Sequence, residues 1–560
     1  MYFCYKCVQR QHRSVFFYFS LLLLVVVVTG CGVSKSGSRA ASDAGSTPAP
    51  LQVLTFPDVG VTDITSLDPA LGFDMNTSII MNMLYSGLVR LDDDARVIPD
   101  QATWKVSSDG KVYTFMLKPG ITFSDGTPVT AESYVYTWTR ALAPNGGSSF
   151  LPNRGSLFAL SLEQPIAGAR AVYRGDTHTL SGLQALDTHT LQVTLDAPAP
   201  YFLTSLTNPL FFPLNQRVIE QYGDQNWTPH VVNAGIGTGP FQVEAWLHNV
   251  NIKLVPNSHY YGAKTRLQVV NIYFVADPKT VSYSAGQYDF TWITSPGDQV
   301  AQKNIQGFKE TSLWQTALLF FATTSPPFDQ VAVRQAFAQA IDKKALLHLA
   351  FDEAFLPAAT VLPAGIPGYQ ADYAGLGYDP NNARTLLNSV YPDTSTMLQI
   401  TFSYPVSLLS QSVATSLQQM WQDVLGIQVT LNPMEPRAYQ QEAHNHQIQF
   451  GFDLWSADFP DPYDVLAVNL LSSSRANEGQ WHNNQFDALV TQAEARAGND
   501  RIALYNQAEQ LAISDAGVVP LYHPTFAAII PSWLQGVSLN GNGLYFGNWS
   551  DVYILAHSAR

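Results

Sequence analysis

"WKVSSDGKVYTFMLKPGITFSDGTPVT", residues 104–130, is the stretch whose reading sets the architecture of this chain. Asp109–Gly110 stands between two runs that alternate apolar and polar residues. That pattern predicts a β-hairpin, because a tight hairpin turn needs residues that tolerate positive φ. A second Asp-Gly follows at 125–126. From Thr130 the period changes. "TAESYVYTWTRAL" (130–142) reads as a helix with Thr130 as N-cap and Ser133 in its first turn.

Outward from there the chain alternates strand and helix signals. "LQVLTFPDVG" (51–60) reads as a strand, "SLDPA" (66–70) as a turn, and "TSIIMNMLYSGLVRLD" (77–92) as helix and then strand. The middle is β-like, in "GPFQVEAW" (239–246), "NIKLVPN" (251–257) and "VVNIYFV" (269–275). Later segments carry apolar residues at the helical period, among them 330–351, 378–391, 407–426 and 483–516. Short strands such as "IQVTLN" (427–432) and "VVPLY" (518–522) lie between them, which argues for an α/β fold at least in the C-terminal half. At 560 residues the chain has room for two to four domains of roughly 150 residues each.

The N-terminus predicts an address. Lys6, Arg10 and Arg13 precede the apolar run "SVFFYFSLLLLVVVV" (14–28), and "VTGC" (28–31) places small residues before Cys31. This is the pattern of a secretory signal peptide, residues 1–30. It resembles the lipobox of bacterial lipoproteins, in which Cys31 is lipidated and becomes the first mature residue. A run of about 15 apolar residues is shorter than the roughly 20 that a membrane span needs. Residues 31–50 are rich in Gly, Ser, Ala and Pro and read as a flexible tether. Cys4, Cys7 and Cys31 are the only cysteines, so the mature chain has no disulfide to form and is expected to be extracytoplasmic and stable by its core alone.

Composition narrows the function further. The net charge is −14, and nearer −17 once the three N-terminal cations are removed. Such a chain repels phosphate backbones, so no nucleic-acid partner is expected. "GIGTGPF" (235–241) is followed by a strand and not by a helix N-terminus, and reads as a tight turn, not a phosphate cradle. His444 and His446, with Glu442 near, lack a recognisable ligand spacing and read as a surface loop. No G-x-S-x-G is present, and no nucleophile is fixed beside a base. Enzymatic activity therefore has no positive support, and no metal or cofactor is expected. The abundance of Trp and Tyr suits a cleft that grips organic ligands. "WSADFPDP" (455–462) places Asp458 and Asp461 three apart. Taken alone they fit a catalytic pair, a metal site, a clamp for a cationic ligand, or turn chemistry.

Several stretches, in order, resemble one family. They are "SLDPA" (66–70), residues 85–138, "GTGPFQVEAW" (237–246), "VRQAFAQAIDKKAL" (333–346), "YDPNNARTLLN" (378–388), "WSADFPDP" (455–462) and "RIALYNQAEQLAISDAGVVPLY" (501–522). Together they are similar to the family 5 solute-binding proteins of bacterial ABC importers, which bind oligopeptides, dipeptides or nickel, and most of all to the oligopeptide-binding members. The resemblance implies a type II periplasmic-binding-protein-like fold of the cluster C kind. It has two α/β lobes joined by a hinge and an additional domain. The expected division is 51–85, 216–315 and 525–560 for the first lobe, 86–215 for the additional domain and 316–524 for the second lobe.

The same resemblance implies a lipid-anchored monomer that captures peptides between closing lobes and passes them to an ABC permease and its ATPase subunits. Alternatives within the fold are a nickel chelate, an oligosaccharide or a peptide-sensing role, and outside it an exported enzyme. In the oligopeptide binders a W-x-A-D stretch supplies an aspartate for the peptide α-ammonium. Here this maps to Asp458, with Trp455 and Ser456 beside the ligand backbone. Phe150, Trp292 and Trp314 map to other cleft positions. The segments expected to meet a ligand carboxylate, 403–411, 432–440 and 451–455, offer only Arg437 as a cation, so the resemblance leaves the ligand's carboxyl end without a partner.

Overall fold

The computed structural model describes residues 47–557 except 65, 72–74, 144–165, 225, 233, 282–285, 394–398 and 546–547. Phe150, Cys31 and the N-terminal segment therefore lie outside the described residues. Among the described residues no helix is long and apolar enough to cross a membrane.

Three main cores organise the chain. The first lies under a four-stranded sheet in the order Val53–Val59, Val269–Val275, Asn251–Pro256, Phe241–Leu247. The first two strands run parallel although more than 200 residues separate them, and the others are antiparallel. Strand alternation puts Leu54, Phe56, Ile252, Leu254, Val270 and Ile272 into one buried core. A three-stranded sheet joins it, with Thr525–Ile529 between Thr291–Ile293 and Phe308–Ser312.

The second core belongs to an antiparallel sheet in the order Ala102–Val106, Val112–Leu117, Thr190–Thr194, Leu183–Asp187. Its first turn is the expected hairpin. Gly110 takes φ 71°, and the Ser107 N–H donates to Val112 O at 2.9 Å. The second Asp-Gly makes only a tight turn, closed by the Thr122–Pro128 bridge, with Gly126 at φ 85°. Helix Ala131–Leu142 begins as expected, the Thr130 N–H donating to Ser133 Oγ at 3.2 Å. It packs on this sheet through Tyr134 and Trp138, both fully buried. The helix also ties the second core to the first. Arg140 grips Asp68 with both guanidinium nitrogens (3.2 and 2.5 Å) and Asp224 at 2.6 Å. Asp68 is the carboxylate of "SLDPA", so that motif is a clamp as well as a turn.

The third region is a six-stranded mixed sheet in the order Leu356–Pro357, Val519–His523, Gln315–Phe321, Phe450–Ser456, Ile400–Pro405, Val429–Met434. Strand Gln315–Phe321 is buried on both faces. Ala317, Leu319 and Phe321 enter one apolar core and Leu318 enters another. A central strand covered by helices on both sides needs this near-continuous apolar run. The covering helices are Val331–Gln339, Lys343–Phe351, Pro380–Val390, Leu408–Leu425, Asn484–Glu494 and Gly498–Ser514.

The chain passes between the three-stranded and six-stranded sheets at two adjacent points among the described strands. Leu313 and Trp314 link Phe308–Ser312 to Gln315–Phe321, and Pro524 links Val519–His523 to Thr525–Ile529. The Leu313 N–H donates to Pro524 O at 2.9 Å, so the crossings lie side by side. Two short side-by-side connections between separately packed cores have the form of a hinge.

Candidate functional site

A cavity of about 700 Å³ opens where the three regions meet. Tyr85 and Trp549 reach it from the first region, Arg90, Lys118 and Tyr261 from the second, and Ser456 and Asp458 from the third. Cavities of this size suit a ligand of a few residues or rings.

"WSADFPDP" forms part of the wall. Ser456 ends strand Phe450–Ser456 and pairs with Gln315, and both line the cavity. Because strand side chains alternate, the preceding Trp455 points the other way and packs against the core behind the sheet. The Ala457 N–H then donates to Trp314 O at 2.8 Å, tying the loop to the hinge. Asp458 stands exposed on the cavity wall. Its N–H donates to Oδ2 of Asp464 at 2.9 Å. Asp464 is buried, and its carboxyl is pushed well above the usual range, first by burial and then by the nearby charge of Asp458.

Asp461 has a different environment. It is buried, accepts the Tyr463 N–H at 2.8 Å, and holds Arg501 through two bonds of 2.9 and 2.7 Å. Arg501 also bonds Glu494 at 3.1 Å, and the Tyr505 hydroxyl donates to Glu494 at 2.5 Å. Of the alternatives open for Asp461, the turn is present, together with a buried ion pair that the sequence did not announce. Tyr463 stacks on Tyr201 (centroids 3.9 Å, 28°) and Phe459 packs beside it, which seats the loop on the second core.

The other site residues fall in different places. Trp314 lines the cavity at 3% exposure, and Gly541 and Gly365 lie so close that a Cβ on either would collide with its indole. Trp292 does not line it. That ring sits in the first core, 6.1 Å from Phe56 and 6.5 Å from Phe526. Trp455 is likewise off the wall, by the alternation described above. Arg437 is on the exposed side of helix Pro436–His444 and is not among the residues that line the cavity.

The cations on the wall come from an unexpected quarter. Arg90 lies on strand Val89–Leu91, opposite Ile98, and Lys118 follows strand Val112–Leu117. Between them is Asp100, buried, with the Tyr261 hydroxyl donating to it at 2.6 Å. Burial raises the Asp100 carboxyl, while the Tyr261 bond and the charges of Arg90 and Lys118 pull it back. A polar knot fixes this corner. Gln101 donates to Ser86 O at 2.9 Å and to Thr238 Oγ1 at 3.0 Å, and accepts from Tyr134 at 2.7 Å.

Thr238 belongs to "GIGTGPF", which is a turn. The Gly239 N–H donates to Leu84 O at 2.9 Å, and a Cβ on Gly237 would collide with that carbonyl. Glycine is there for close backbone approach. At "HNH", His446 takes φ 55° and its Nδ1 lies 3.2 Å from Glu478 O. No group of three or more potential metal ligands forms among the described residues.

Comparison with known proteins gives this arrangement a family. The model of "Bacterial extracellular solute-binding proteins, family 5 Middle" matches residues 96–477. A protein of Escherichia coli named as a probable deoxycholate-binding periplasmic protein is 31% identical, over 94% of this chain and 98% of its own. An oligopeptide-binding protein of Bacillus subtilis is 26% identical, over 94% and 97%. The solved murein tripeptide binding protein of Escherichia coli superposes with a TM-score of 0.73 at 27% identity, covering 91% of this chain and all of that one. The fold is thus that of the type II periplasmic binding proteins, two hinged α/β lobes with an added domain. The chain belongs to the family 5 bacterial extracellular solute-binding proteins, and it is a binding protein, not an enzyme.

Proposed function

We propose that this protein captures short peptides outside the cytoplasm, as a lipid-anchored monomer, and hands them to an ABC permease driven by its ATPase subunits. The observation that carries the reading is the placement of Asp458 on the cavity wall, beside Ser456 and next to the hinge residue Trp314. The Asp458 carboxylate, beside the Ser456 hydroxyl on the cavity wall, suits an α-ammonium. Charge-assisted bonds of this kind are shorter and about twice as strong as neutral ones. Asp464 behind Asp458 is buried, and burial raises its carboxyl well above the usual range. Closure of the second lobe (316–524) on the first (51–85, 216–315, 525–560) and the added domain (86–215) would then dehydrate the pair.

The names of several relatives support peptide capture, and the sequence around Cys31 supports the anchor. Calorimetry with peptide mixtures tests the first part. Free-amine peptides should bind and N-acetylated ones should bind at least about tenfold more weakly. Equal affinity for the two would refute the role of Asp458. For the anchor, Cys31→Ser should move the protein from the membrane to the soluble fraction; a variant that stays with membranes would mean an uncleaved helix.

One observation favours a second reading. The 31% identical relative is named for deoxycholate, a carboxylate on an apolar body with no ammonium. Such a ligand would use the cations of the cavity and ignore Asp458.

A further inference from the structure

We infer that Arg90 and Lys118 form a receptor for the ligand's carboxylate, carried by the added domain in the same cavity as Asp458. This deepens the peptide reading and, in its peptide form, rests on it.

The argument starts from the charges on the cavity wall. The lining residues include two cations, Arg90 and Lys118, and two carboxylates, Asp100 and Asp458. Asp100 shares its corner with both cations, and its carboxylate already accepts the Tyr261 hydroxyl at 2.6 Å. Two cations therefore face one acid, and the corner is positive by one charge with Asp100 ionised. Among the described residues neither Arg90 nor Lys118 makes an ion pair within 4 Å, although Lys118 lies over the Tyr261 ring at 5.9 Å.

The corner is also built to stay in place. Asp100 is braced by Tyr261, Arg90 sits on a paired strand, and Gln101 is fixed by Ser86, Thr238 and Tyr134. The wall contributed by the six-stranded-sheet region carries Asp458, with Asp464 behind it. A cavity with opposite charges contributed by separate regions selects a dipolar ligand and orients it, ammonium to the second lobe and carboxylate to the added domain. A fork of guanidinium donors beside a lysine suits a carboxylate.

The test uses the full mature chain and three matched libraries of tri- to pentapeptides: free acid, C-terminal amide and N-acetylated acid. Deoxycholate is the fourth probe. Wild type should take the acid library at least about tenfold better than the amide. In Arg90→Gln/Lys118→Gln this ratio should fall to about one, a change that general loss of packing would not produce. Asp100→Asn removes the competing acid and should widen the ratio. Peptides bound equally as acid and amide would overturn the inference and leave peptide capture standing. No peptide bound, but deoxycholate bound and then lost in the double variant, would overturn peptide capture and keep the carboxylate receptor. A wild type that binds none of the four overturns both.

Discussion

Arg90 and Arg140 both belong to elements of the second core and meet opposite fates. Arg140 is almost wholly buried and spends its guanidinium on Asp68 and Asp224, clamping one core to another. Arg90 is half-buried on a cavity wall and makes no ion pair among the described residues. The acids of "WSADFPDP" differ in burial. Asp461 is buried and bonded twice to Arg501, while Asp458 is exposed at the cavity. A charge committed to a partner inside the protein is structural, because burial without that partner is costly. Arg90, held at the cavity wall on a paired strand, remains available to a ligand.

The largest expected effect lies on the committed side. Arg501→Ala leaves Asp461 buried without its cation, and breaking such a pair costs roughly 3–5 kcal/mol. Denaturant unfolding should show the loss, along with a loosened Asp458 loop. A variant as stable as wild type would erase the division drawn between the two acids.

Asp458→Asn should do the reverse. Affinity for free-amine peptides should drop by at least about tenfold, equivalent to roughly 1.5–3 kcal/mol for a charge-assisted bond. The unfolding midpoint should stay close to wild type, because the residue is exposed. A large stability loss with unchanged affinity would move Asp458 to the structural class.

The smallest effect is one of pH. Burial pushes Glu494 up to about 7 despite the nearby Arg501 charge. Its folded form therefore holds a proton more tightly than the unfolded chain does. The resulting stabilisation is complete below about 4.5 and is lost as pH rises through 7. Glu494→Gln cannot titrate, so its melting temperature should gain on wild type between pH 5 and pH 8. A constant difference across that range would place Glu494 as an ionised partner of Arg501 at every pH.

Much of the local structure was legible in the chain. Asp109–Gly110 required a hairpin because its turn needs positive φ, and Thr130 with Ser133 marked a helix start. The prolines around Asp461 marked a turn. Three aromatics show the limit. Trp292, Trp314 and Trp455 are equivalent as residues, yet only Trp314 lines the cavity. A core position and a cleft position select the same apolar ring. For Trp455 the alternation of its strand decides the face, and which face is the cavity depends on the neighbouring sheet.

The order of residues was enough for the family, the α/β alternation, the hairpin at Asp109–Gly110, the helix after Thr130 and the turn at Asp461. These follow from turn chemistry, periodicity and motif order, which act over a few residues. Only the tertiary structure decided that Asp464 lies behind Asp458, that Arg501 serves Asp461 from 40 residues away, and that Arg90 and Lys118 face the cavity. Those facts depend on desolvation and on charges brought together from separate cores, and no local pattern encodes them.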